Sequence, residues 1–104
     1  GARTYSAAED SGVAFDAMQR GRIVGEATGG STGQPLIVSL PGGIMARICT
    51  KRDTYPDGRE FVGVGVKPQV VVHPTVADFR AGRDTVLEAA LDLARGKNAV
   101  AGRR

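Results

Sequence analysis

Tyr5-Ser6-Ala7-Ala8-Glu9 opens the first regular stretch of the chain, and its reading decides what the remaining sequence can build. Ser6 followed three residues later by Glu9 is the spacing of a capping box, in which the hydroxyl accepts from the Glu9 amide and the carboxylate reaches back. The spacing predicts a helix over residues 6–19. Ala7, Ser11, Ala14, Phe15 and Met18 recur on one stripe of that helix, and Gly21 follows as its stop. Gly12 lies inside it at a cost of about 1 kcal/mol relative to alanine, unless something packs closely there. The same five residues admit a second use. A serine at the first turn of a helix sits beside unpaired backbone N–H groups and the positive end of the dipole, where a forming oxyanion is stabilised.

Outward from this segment, Arg22-Ile23-Val24-Gly25 reads as a short strand, and residues 26–34 as a loop with three glycines. Leu36 to Leu40 and Ile44 to Thr50 read as two strands joined at Pro41-Gly42-Gly43, a hairpin. Tyr55-Pro56-Asp57-Gly58 is a turn signal. Phe61 to Val66 alternates apolar residues with glycine, and Val70-Val71-Val72 forms a further strand ending at His73-Pro74. In the last helix Asp84 is the N-cap, Val86, Leu87, Ala90, Leu91 and Ala94 form the buried stripe, and Gly96 is the C′ residue. Residues 97–104 read as a loose tail. The order implies an α/β fold, a short mixed sheet with two main helices, in one unit over residues 1–96.

Composition narrows the function classes. The chain has 104 residues, enough for one core and too few for two. Fourteen basic residues stand against 11 acidic, and 11 of the 14 are arginine, but they are scattered and five aromatics offer little to stack on bases. No nucleic-acid partner is expected. No apolar run reaches the ~18 residues of a membrane span. The single cysteine excludes an internal disulfide and a multi-thiolate zinc site, and no cofactor is expected. The 15 glycines are clustered, which points to tight turns and close backbone approaches.

Three ordered motifs carry a resemblance. Arg3 to Glu9, then Gly21-Arg22-Ile23-Val24-Gly25-Glu26-Ala27-Thr28-Gly29-Gly30, then Gly63-Val64-Gly65-Val66-Lys67-Pro68, together with Ala81 to Leu91, resemble the C-terminal part of the C-terminal processing (tail-specific) serine peptidases over about residues 3–95. The resemblance implies a partial crotonase/ClpP-like core with Ser6 as nucleophile and the Ala7 backbone N–H as one oxyanion donor. It also implies a peptide or protein substrate, a partner segment N-terminal to this one, and a place outside the cytoplasm. Gly29, Gly30 and Ser31 then border the site, where glycines let the main chain approach a substrate backbone. The competing reading of this loop is a flexible connector.

The base departs from the family's Ser/Lys pattern: Ser31 stands where that dyad places its lysine. The sequence is therefore closer to the tricorn-type and interphotoreceptor retinoid-binding-protein-like branch, in which a histidine from the N-terminal half takes the proton. That histidine would lie outside this chain, leaving the isolated piece inactive. In that branch an acid just before the Gly-Val-Gly-Val-x-Pro motif orients the constellation. Val62 holds the adjacent position, so Glu60 is the candidate, and Gln69 replaces the aspartate common after the proline.

Other residues read more plainly. His73 is expected at a surface turn, Lys51 and Lys97 are expected to be solvated, and Cys49 is expected to be a small buried apolar residue. The loop 25–32 nearly spells a phosphate-binding loop but has Ser31 in place of its lysine. Uncovered strand edges predict self-association or pairing with the rest of the parent protein. Two alternatives to the peptidase are a non-catalytic domain of the same fold that binds an apolar ligand or peptide, and an interaction module in which Ser6 only caps a helix.

Overall fold

The computed structural model describes residues 1–96, so the expected tail at 97–104, Lys97 included, lies outside the described residues. The elements run α1 (Ala7–Ala17), β1 (Val24–Gly25), β2 (Pro35–Leu40), β3 (Ile44–Cys49), β4 (Val70–Val71), α2 (Val76–Arg80) and α3 (Thr85–Ala94). The mixed α/β class holds, but not as one mixed sheet: β1 and β4 form a parallel pair, and β2 and β3 a separate antiparallel hairpin.

Local signals place the helix ends. Asp84 accepts from the Leu87 amide at the start of α3, and Gly96 follows its end with φ 72°. Helix α2 is additional to the two expected. Thr75 and Asp78 form a reciprocal capping box there, a Thr-x-x-Asp pattern visible in the sequence directly after Pro74. Helix α1 stops at Ala17, earlier than residue 19, because Gln19 rather than Gly21 takes the left-handed position (φ 49°) that closes it.

The buried faces differ from the predicted stripes. On α1 the buried residues are Glu9 and Val13, while Ala7, Ser11, Ala14, Phe15 and Met18 are exposed. One face runs 9, 12, 13, 16, and Gly12 lies against Val66 on it. On α3, Leu87 and Leu91 are exposed, whereas Val86, Ala89, Ala90 and Leu93 are partly covered, with Val86 facing Gly25 of β1. The core is small: Val13, Tyr55, Phe61 and Val66, with Ile23 packed against it. Tyr55 meets Phe61 edge-on at 6.0 Å.

Residues 61–66 are not a strand. They coil as consecutive turns, with Gly63 and Gly65 at φ 78° and 84° and the Val64 and Gly65 amides donating back to the Phe61 carbonyl. The alternation of apolar residue and glycine reflects a turn that buries Phe61 and Val66 and needs left-handed backbone between them. The turn at Tyr55–Gly58 forms as expected, closed by the Gly58 amide on the Tyr55 carbonyl.

The hairpin forms in the register Leu36 opposite Ile48, Val38 opposite Ala46 and Leu40 opposite Ile44. This face is entirely apolar, yet Leu36, Leu40, Ile44 and Ile48 are all exposed. Cys49 is exposed too, contrary to its expected burial, because no layer among the described residues covers β3. The radius of gyration is 17.5 Å, against about 13 Å for a compact chain of this length.

Candidate active site

The loop after β1 folds back onto the N-terminal end of α1, and the contact is polar. Glu9, in the first turn of α1, is fully buried. Its Oε1 accepts from the Thr28 hydroxyl at 2.5 Å and the Gly30 amide at 2.6 Å, and its Oε2 accepts from the Ser31 amide at 2.8 Å. Burial pushes this carboxyl up, but the Thr28 hydroxyl and the Gly30, Ser31 and, least of all, Ser6 amides outweigh it and hold Glu9 below the ordinary carboxylate range. The positive end of α1 favours the same charge. The capping box expected between Ser6 and Glu9 is therefore incomplete: the Ser6 hydroxyl makes no cap bond, and the Ser6 amide, which donates to Ser31, adds only the smallest pull on the Glu9 carboxylate. Glu9 spends its side chain on a loop about 20 residues away, and the Ser6 side chain makes no cap bond.

Ser6 precedes α1 with φ 58° and ψ −134°, a left-handed backbone in a residue that carries a Cβ. That conformation costs roughly 1–3 kcal/mol and persists only where the surroundings impose it. Here both sides are tied. The Ser6 amide donates to the Ser31 carbonyl at 2.8 Å, and the Ser6 carbonyl accepts from the Glu9 amide at 2.7 Å and the Asp10 amide at 3.1 Å. Ser6 itself is exposed. The next amide, Ala7, is in the first turn, where a helix leaves N–H groups without intrahelical acceptors.

The turn at 61–66 locks the loop from the other side. The Gly63 amide donates to the Gly30 carbonyl at 2.6 Å, the Thr28 amide to the Val66 carbonyl at 3.1 Å, and the Val66 amide to the Thr28 hydroxyl at 2.7 Å. A Cβ on Gly65 would strike the Thr28 carbonyl, and one on Gly30 would come within 2.8 Å of the Gly65 nitrogen. Tyr5 lies over Gly29, whose amide donates to the Thr4 carbonyl at 2.9 Å. The structure thus brings Ser6, Ala7, Gly29, Gly30 and Ser31 together and replaces the flexible-connector reading of the loop with a hydrogen-bonded one.

Glu60 stands elsewhere in contact terms, exposed and ion-paired with Arg52. His73 is exposed, with Nδ1 2.8 Å from Glu26 Oε1. Lys51 pairs with Asp53 at 2.5 Å, which holds its ammonium above the ordinary lysine value. Among the described residues no group of three or more His, Cys, Asp or Glu side chains is placed to hold a metal ion.

At the other end of α1, Asp16 accepts from the Tyr55 hydroxyl at 2.8 Å and the Gln69 amide at 2.6 Å, while Gln69 Oε1 accepts from the Ile23 amide at 2.7 Å. Burial and then Asp16 push the Tyr55 hydroxyl up to about 12. An aspartate at 69 could accept from Ile23 but could not donate to Asp16, so glutamine fits this bridge. A cleft of about 760 Å³ opens here beside Tyr55, Arg59 and Lys67.

Sequence reasoning missed Glu9 as a loop anchor. Its spacing from Ser6 is that of a cap, and nothing local distinguishes the two uses. Among known protein families, the model of peptidase family S41 matches residues 1–72, which hold the Ser6 segment, the loop and the turn. No curated protein matches the sequence.

Proposed function

This chain belongs to peptidase family S41, and from that premise we propose that it is part of a serine peptidase domain in which Ser6 is the nucleophile. The observation that carries the proposal is the Ser6 backbone: a strained, non-glycine conformation at the entry to a helix, tied on both sides, in an exposed residue whose hydroxyl has no capping role. Strain kept at an exposed serine gives folding nothing, whereas it directs a hydroxyl outward beside helix N–H groups.

In this reaction Ser6 Oγ attacks a peptide carbonyl carbon, forming a C–O bond while a base takes the hydroxyl proton. The carbonyl oxygen gains the negative charge, and the Ala7 N–H donates to it. Collapse breaks the C–N bond, the proton passes to the leaving amine, and water then hydrolyses the acyl-serine to free Ser6. Gly29 and Ser31, which are exposed, flank the incoming substrate backbone, while Gly30, expected beside them, is buried with its amide and carbonyl both bonded and shapes the loop from beneath.

The base is supplied from outside these residues. His73 is engaged with Glu26, and Lys51, paired with Asp53, is held protonated rather than poised to accept. Ser31 occupies the place of the family's dyad lysine, and its carbonyl holds the Ser6 amide instead. The missing lysine at 31 favours a histidine base, as in the tricorn-type and retinoid-binding-protein-like branch, and the family membership favours a crotonase-like core. Glu60 is assigned the orienting acid by its sequence place alone, since its carboxylate faces Arg52. The chain by itself is then inactive.

The test uses the intact parent protein and an unfolded protein substrate. Ser6→Ala should cut hydrolysis by at least ~10³-fold. It should leave the melting temperature unchanged, since no cap bond is lost. Hydrolysis that survives Ser6→Ala contradicts the assignment.

A further inference from the structure

Glu9 touches Ser6 through two routes that close on each other. Its own amide donates to the Ser6 carbonyl at 2.7 Å, and its carboxylate accepts at 2.8 Å from the Ser31 amide, whose residue's carbonyl accepts from the Ser6 amide at 2.8 Å. The peptide groups on both sides of the strained serine are thus fixed by one residue, directly and through Ser31. We propose that Glu9 is a positioning residue: its carboxylate holds Ser6 in the left-handed conformation that presents the hydroxyl, a role that rests on Ser6 being the nucleophile.

The chemistry of the contact requires a carboxylate. Three donors converge on it, two on Oε1 and one on Oε2, and both oxygens must accept. A glutamine of the same shape has one carbonyl oxygen. With that oxygen kept on Thr28 and Gly30, its NH2 faces the Ser31 N–H, donor against donor, and releases the link that leads to Ser6. The loop then retains two of its three ties while the Ser6 clamp opens. This effect differs from general loosening, because the core of Val13, Tyr55, Phe61 and Val66 is untouched.

The experiment compares, in the intact parent protein, the rate at which a fluorophosphonate labels Ser6 with the melting temperature. Glu9→Gln should slow labelling per folded molecule by roughly tenfold or more, with the reagent's half-saturating concentration unchanged. Glu9→Asp, which keeps the charge but draws the carboxylate back by one methylene so that it cannot hold Thr28, Gly30 and Ser31 together, should slow it in the same sense and serves if Glu9→Gln does not fold. Asp84→Ala, which removes the distant α3 cap, should lower the melting temperature and leave the labelling rate alone. Wild-type labelling rates in folded Glu9→Gln or Glu9→Asp would overturn the proposal. So would a slowing that merely tracks lost stability in all three variants. Absence of label on Ser6 in the unsubstituted protein would instead overturn the nucleophile assignment beneath it.

Discussion

Around Glu9 the chain is gathered by polar contacts, while along β2 and the start of β3 an uncharged, mostly apolar stretch lies largely exposed. Thr28, Gly30 and Ser31 each spend a donor on one buried carboxylate, and glycines at 30 and 65 let backbone meet backbone. Residues Pro35 to Ala46 carry no charge, yet Ile37, Ile44 and Met45 are each about 60% exposed. The contrast separates two sources of order. The candidate site is built from hydrogen bonds closed within the chain. The hairpin has the register and pattern of a sheet layer, and the described residues include no facing layer that would bury it.

The largest expected effect strikes the polar knot. Gly65→Ala places a Cβ against the Thr28 carbonyl at φ 84°, and should destabilise the chain by roughly 2–4 kcal/mol in chemical unfolding. A loss below 1 kcal/mol would show that the knot yields, and the contrast with the hairpin would weaken.

Acid should act on the same region. The folded state holds Glu9 below its ordinary range, so it binds fewer protons than the unfolded chain. The resulting stability is complete above the ordinary glutamate value of about 4.3 and is lost as pH falls through the lower folded value. Glu9→Gln should remove that part of the acid dependence. An unchanged acid limb in titrated unfolding curves would mean that other carboxyls set it.

The smallest effect on stability belongs to the hairpin. Ile44→Lys should change it by less than about 0.5 kcal/mol, because Ile44 is already exposed. The same substitution should weaken concentration-dependent association measured by sedimentation. A large loss of stability would show that the face is covered within the chain.

What the sequence disclosed divides along the same line. The α3 cap at Asp84, the turn at Tyr55–Gly58 and the hairpin at Pro41–Gly43 depend on neighbours within a few residues, and each was legible. The Ser6 segment and its loop were legible as motifs. The Glu9 contacts were not, because their partners lie 19–22 residues away and the Ser6-to-Glu9 spacing fits a cap equally well. The buried faces of α1 and α3 were misplaced for a related reason. An apolar stripe is buried only where something packs on it, and here a carboxylate faces inward while Phe15, Met18, Leu87 and Leu91 face out.

Covalent mapping decides whether Ser6 is held as a nucleophile. The intact parent protein is treated with a fluorophosphonate, digested, and the modified serine located by mass spectrometry. One adduct is expected, on Ser6, and it disappears in Ser6→Ala. A folded, hydrolytically active protein modified at another serine and not at Ser6 would contradict it.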